Sequence, residues 1–179
     1  MNTHLELVRE FHRQFGIAQP EYPHTAHLTD MDIVMRQTLL MQAGQDSLHA
    51  IVVSDMAKLL AGLVDLAYNA LAAIACRGDD LIKVPVNWRQ DGSVLSVARE
   101  LSERIHNCHS GETRDYSALY YFCQQLAMSF VNADFDGAFR AVHQDIMQTT
   151  PPAPGHDYAH RLARETLPAA PDLTDNLYE

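Results

Sequence analysis

Glu100 and Glu103 lie three residues apart, and so do Glu112 and Asp115, just beyond the turn formed by His109, Ser110 and Gly111. Residues at i and i+3 share a helix face, so two helical arms joined at that turn can each present two carboxylates to the groove between them. Four convergent carboxylates suit Mg²⁺, which takes near-octahedral oxygen ligands, keeps some of its waters and bridges to phosphate groups. An ion held there can activate a water for in-line attack and offset the charge that builds on a phosphate chain. Glu100, Glu103, Glu112 and Asp115 are therefore the candidate metal-ligating and catalytic residues, and the chemistry they suggest is hydrolysis of a phosphoanhydride. At 1.5 Å per residue, Glu103 sits about 9 Å and Glu100 about 13 Å up the first arm, while Asp115 and Glu112 sit about 6 and 2 Å up the second. Glu103 and Asp115 meet easily, whereas the other two must reach. The same spacing also describes solvated helix charges with Arg99 and Arg104 beside them.

The elements that would position these groups read as helices throughout. Alternating β-branched runs are absent and turn dipeptides are rare, which predicts an all-α helical bundle. A first helix is expected over 3–15, with Leu5, Val8, Phe11, His12 and Phe15 on one stripe and Gly16 as its stop. A second should run over 30–53. Ser54 or Asp55 would cap a third, apolar almost all round and therefore central, that ends at Gly78. A connector with Pro85, Trp88 and an Asp91-Gly92 turn leads to a fourth helix over 94–108; a fifth covers 112–131 and a sixth 135–148. The hairpins 31–78 and 94–132 suggest an internal repeat. Residues 1–150 would form the bundle, and 151–179 a proline-bearing tail with one helical piece, DYAHRLARETL.

The chain's 179 residues, 47% of them hydrophobic, suffice for one core without disulfides or a structural metal. Its 13 basic side chains are scattered against 23 acidic ones, which argues against nucleic-acid binding and leaves magnesium-bridged nucleotides as polyanionic partners. No membrane span or signal sequence is expected, and Cys76, Cys108 and Cys123 form no CxxC pair, so the expectation is a cytoplasmic protein with reduced thiols. His156 and His160, at i and i+4, could both ligate zinc but lack an evident third ligand, and His106 and His109 flank the turn. Tyr116, Tyr120, Tyr121, Phe122 and Trp88 could line a base-stacking pocket or simply fill the core. Arg36, Lys58, Lys83 and Arg114 are the bases available for phosphate contact.

Three stretches carry a family resemblance. LVREFHRQFG followed by PEYP, the arm SDMAKLLAGLVDLAYNALAA, and ADFDGAFRAVHQDIM together resemble the all-α nucleotide pyrophosphohydrolases, the MazG-like and phosphoribosyl-ATP pyrophosphohydrolase superfamily, over about half of the chain. The resemblance implies a helical bundle, a homodimer or larger oligomer, a nucleoside triphosphate substrate cleaved to monophosphate and pyrophosphate, and Mg²⁺ held by an ExxE pair on one helix and ExxD on the next. Matched to the first hairpin, that motif falls on Gln42, Gln45, Lys58 and Ala61, with only Asp65 and the displaced Asp46 keeping carboxylates. Neutral amides and a lysine are poor magnesium ligands. The second hairpin retains the residue types as Glu100, Glu103, Glu112 and Asp115, across a shorter intervening stretch than the family uses. Asp145 stands where the family often has Asn, and no lysine follows Met147. Two readings follow: a Mg²⁺-dependent nucleotide pyrophosphohydrolase with a partly degenerate motif, or a catalytically inactive relative that binds a nucleotide or a protein partner.

Overall fold

The computed structural model describes residues 2–21, 24–148 and 171–178, and among these described residues six α-helices build the fold. Helix α1 (Thr3–Phe15) begins where the Asn2 side chain accepts the Leu5 N–H at 3.1 Å, and stops at Gly16, whose φ of 68° is the left-handed conformation that favours glycine. Its buried row is His4, Leu5, Val8, Phe11, His12 and Phe15, the expected stripe with His4 added. Helix α2 (Asp30–Val52) opens with a reciprocal capping box between Thr29 and Asp32. Helix α3 (Met56–Arg77) is capped by Asp55 and ends at Gly78.

Helix α3 is the axis of the bundle, packed against α1, α2, α5 and α6. From Leu59 to Ala75 nearly every side chain is buried, and small residues set how closely the neighbours come. A methyl group on Gly62 would run into the Ser47 hydroxyl of α2, and one on Gly44 would meet Ile105 of α4 at 2.5 Å. By length and composition α3 is also apolar enough to cross a membrane, contrary to the expectation that no run would qualify; in the bundle most of it is enclosed by protein.

Helix α4 (Val94–Asn107), capped by Ser93, passes through a 3₁₀ turn (Cys108–Ser110) and the left-handed Gly111 into α5 (Thr113–Leu126). The expected single helix over 112–131 is divided, since α5 widens into a π turn (Ala127–Val131) that ends at left-handed Asn132. Helix α6 (Phe135–Met147) follows, capped by Asp134. Part of the expected tail packs back on this junction: Asp134 N–H donates to the Asn176 carbonyl at 2.8 Å, Tyr178 N–H to that of Asn132 at 2.9 Å, and Leu173 is buried. The helical piece expected over DYAHRLARETL lies outside the described residues.

Candidate functional site

The face that α4 buries decides where its carboxylates go. Val97, Leu101 and Ile105 are its buried residues, an i, i+4, i+8 row. Glu103 lies two positions from both Leu101 and Ile105, about 200° around the helix from either, and is exposed. Glu100, half-buried beside that row, is gripped by Arg104 one turn on, with Nε at 2.8 Å and Nη2 at 2.6 Å from Oε1. The Arg104 guanidinium also lies over the Phe122 ring, 4.8 Å from its centroid, so the pair is fixed against α5.

The start of α5 uses its two carboxylates in a second, separate network. The Ser110 hydroxyl donates to Asp115 at 2.5 Å and accepts the Glu112 N–H at 3.0 Å. Arg77, the last residue of α3, is buried and reaches three acceptors: the Gly111 carbonyl at 2.7 Å, Asp79 at 3.0 Å and Glu112 at 3.3 Å. Thr113 donates a further hydrogen bond to Asp79. Arg77 thereby ties the end of α3 to the α4–α5 turn. Its place in the last turn of a helix marks it as a dipole partner from sequence, but nothing in the spacing shows the tie to Gly111.

Glu100, Glu103, Glu112 and Asp115 are thus not brought to one point. Glu100 is held by Arg104, Glu112 by Arg77 and Asp115 by Ser110, while Glu103 faces outward. Among the described residues, no three His, Cys, Asp or Glu side chains stand close enough to share a metal ion. Mg²⁺ takes several oxygens about one centre, whereas Glu100, Glu112 and Asp115 are each engaged by a different donor of the chain.

The other sequence candidates are also dispersed. Arg36 is buried beneath α2 with its Nη2 3.0 Å from the Cys76 sulfur, Lys58 pairs with Asp55 at 3.3 Å, and Lys83 and Arg114 are exposed on a loop and on α5. Gln42, Gln45, Lys58 and Ala61 of the first hairpin add no carboxylate, and Asp46 and Asp65 stand half-buried. His106 and His109 are exposed neighbours; His156 and His160 lie outside the described residues. Tyr116, Tyr120 and Phe122 are core, with Trp88 edge-on to Phe122 at 5.4 Å and Tyr121 half-buried.

What the spacing did not reveal is a buried histidine seam. His4 Nδ1 lies 2.8 Å from the Tyr120 hydroxyl, its Nε2 lies 2.9 Å from Asp136, and its ring stacks on Phe139 with centroids 4.2 Å apart. Tyr68 stacks on the same Phe139 and its hydroxyl lies 3.0 Å from His143 Nδ1. Burial pushes the His4 and His143 imidazoles below their ordinary value, against the pull of Asp136 and Glu10 respectively. Burial, with Arg36 adding like charge, pushes His12 down to about 3. These imidazoles tie α1, α3, α5 and α6 together, with the polar atoms of His4 satisfied by Tyr120 and Asp136 and Nδ1 of His143 by Tyr68. No protein-family profile, curated protein or solved structure matches the chain.

Proposed function

We propose that this chain is a helical-bundle protein whose role is binding a partner rather than hydrolysing a nucleotide, the second of the two readings its sequence allows. The observation that carries it is the engagement of the candidate carboxylates by the chain's own donors: Arg104 on Glu100, Arg77 on Glu112 and Ser110 on Asp115. A charged hydrogen bond to a half-buried carboxylate contributes about 1.5–3 kcal/mol, so freeing Glu100 for a metal also costs its arginine a partner. Exposed apolar side chains along the outer face of α2, Met31, Val34, Met41 and Val52, support the same reading, since contiguous exposed apolar surface marks interaction sites.

The competing reading is a MazG-like, Mg²⁺-dependent nucleotide pyrophosphohydrolase, favoured by the three stretches of family-like sequence. Incubation with Mg²⁺ and a panel of nucleoside triphosphates separates the two. The binding reading expects no pyrophosphate above the buffer rate. Release that disappears in a Glu103→Gln, Asp115→Asn double variant overturns it.

A further inference from the structure

Arg36 sets a guanidinium inside the bundle without an anion to face it. The residue is only 8% exposed, its Nη2 lies 3.0 Å from the Cys76 sulfur, and its Nε has no hydrogen-bond partner. Among the described residues that sulfur is its only acceptor. Asp32, one turn back on α2, is engaged at the helix start instead, where its carboxylate accepts from the Thr29 N–H at 3.0 Å and from the Thr29 hydroxyl at 2.7 Å. A neutral thiol is a weak acceptor, so the guanidinium is poorly satisfied beside it. An anionic oxygen at the same place would offset the cost of burying that charge.

Cys76 is the atom source for such an oxygen. It stands in the last turn of α3 and is half-buried, whereas Cys108 and Cys123 are fully buried. Its thiol donates to the Ala18 carbonyl at 3.5 Å, and Nδ1 of His12 lies 4.0 Å from the sulfur. The charged and titratable groups facing it are thus Arg36 and Asp32 from α2 and His12 from α1. Burial raises the thiol's pKa, with Arg36 pulling against that rise and Asp32 adding to it. The thiol is therefore mostly protonated, and what the guanidinium is placed to favour is an oxidised sulfur rather than a free thiolate.

We infer that Cys76 is a site of oxidation by hydroperoxides, with Arg36 stabilising the negative oxygen that the step creates. The sulfur attacks one peroxide oxygen, so that an S–O bond forms as the O–O bond breaks. Two electrons pass from sulfur to the peroxide, and the departing oxygen takes up the thiol proton and leaves as water or an alcohol. The sulfenic acid then loses its own proton to solvent, which leaves an anionic oxygen one bond from a sulfur that Arg36 already touches. Charge-assisted hydrogen bonds from a guanidinium to oxygen are about twice as strong as neutral ones. With Cys108 and Cys123 enclosed in the core, the return step falls to an external thiol, which condenses with the sulfenic acid to a mixed disulfide and water. This inference stands apart from the binding reading above.

Hydrogen peroxide on the full chain, followed by a cyclic dione that traps sulfenic acids and by peptide mass spectrometry, tests it. Wild type should carry the label at Cys76 alone, and dithiothreitol added before the dione should abolish it. The second measurement is the rate with peroxide divided by the rate with iodoacetamide, a ratio in which exposure and thiolate fraction cancel. For Cys76 in the folded chain it should exceed the value in the urea-unfolded chain by about tenfold or more, the worth of one charged hydrogen bond in the transition state. Arg36→Met should bring the ratio down to the unfolded value and Arg36→Lys should keep part of it, with Cys108 and Cys123 staying unlabelled as the sign that each variant is folded. No dione label at Cys76, a folded wild-type ratio no higher than the unfolded one, or a folded Arg36→Met with the wild-type ratio overturns the proposal.

Discussion

His12 makes the fold acid-sensitive between pH 7 and pH 5. The imidazole is buried within α1 beside Arg36, and burial first, then that like charge, lowers its pKa from 6.5 to about 3. The unfolded chain takes up a proton near pH 6.5 while the folded chain does not, so stability is intact above pH 6.5 and is lost as pH falls toward 3. The slope is about 1.4 kcal/mol per pH unit, or about 2 kcal/mol between pH 7 and pH 5. For a domain of this size that is a melting temperature lower by roughly 4–8 °C. His4 and His143, also lowered by burial, add loss of the same sign. Asp136, held below the usual carboxylate range first by its bond from Arg140, gives up its contribution only below its ordinary value and so outside this window. Urea unfolding followed by circular dichroism from pH 7 to pH 5 gives the slope. His12→Gln, whatever its stability at pH 7, should be flatter than wild type by about one proton's worth. A wild type equally stable at both pH values, or a His12→Gln slope unchanged from wild type, refutes the reasoning.

Three further outcomes follow from the packing. Arg77→Ala leaves the buried Gly111 carbonyl without its donor and should cost about 2–3 kcal/mol, whereas Glu112→Gln, at a side chain 59% exposed, should cost less than about 1 kcal/mol; urea unfolding compares them. Gly62→Ala drives a methyl against Ser47, so overpacking of about 1–3 kcal/mol should outweigh the roughly 1 kcal/mol that alanine gains in helix propensity, and a more stable variant would contradict the close α2–α3 approach. Among the thiols, half-buried Cys76 should react first with an aromatic disulfide reagent, while Cys108 and Cys123, fully buried and pushed upward by burial, should react only on unfolding.

The fold was legible where a local rule has one strong solution. Gly16 and Gly78 stop their helices because each ending requires a left-handed residue, and Asp55 caps α3 because its side chain reaches the Lys58 N–H. Helix α3, apolar almost all round, had to be central. The division of the fifth helix was not legible, since the π turn at Ala127–Val131 is held by its junction with Asn132, Ala133 and the returning segment around Leu177. The carboxylate site was half legible. Spacing alone put Glu100 and Glu103 on a shared face, but Val97, Leu101 and Ile105 already mark the core side of α4, and rotation by about 200° sends Glu103 away from it. Arg104 was visible as a neighbour of Glu100 at i+4; the tie from Arg77 to the α4–α5 turn was not, because Gly111 and Glu112 lie 34 and 35 residues on and only the tertiary turn brings them within reach.

Titration with Mn²⁺, whose magnetic resonance signal reports the free ion, most directly tests whether the carboxylates of α4 and α5 serve the chain or a divalent cation. With Arg104, Arg77 and Ser110 engaged as described, the free signal should rise in proportion from the first addition, and the Glu103→Gln, Asp115→Asn double variant should give the same line. One equivalent of silent, tightly held Mn²⁺ in the wild type, released in the double variant, would contradict it.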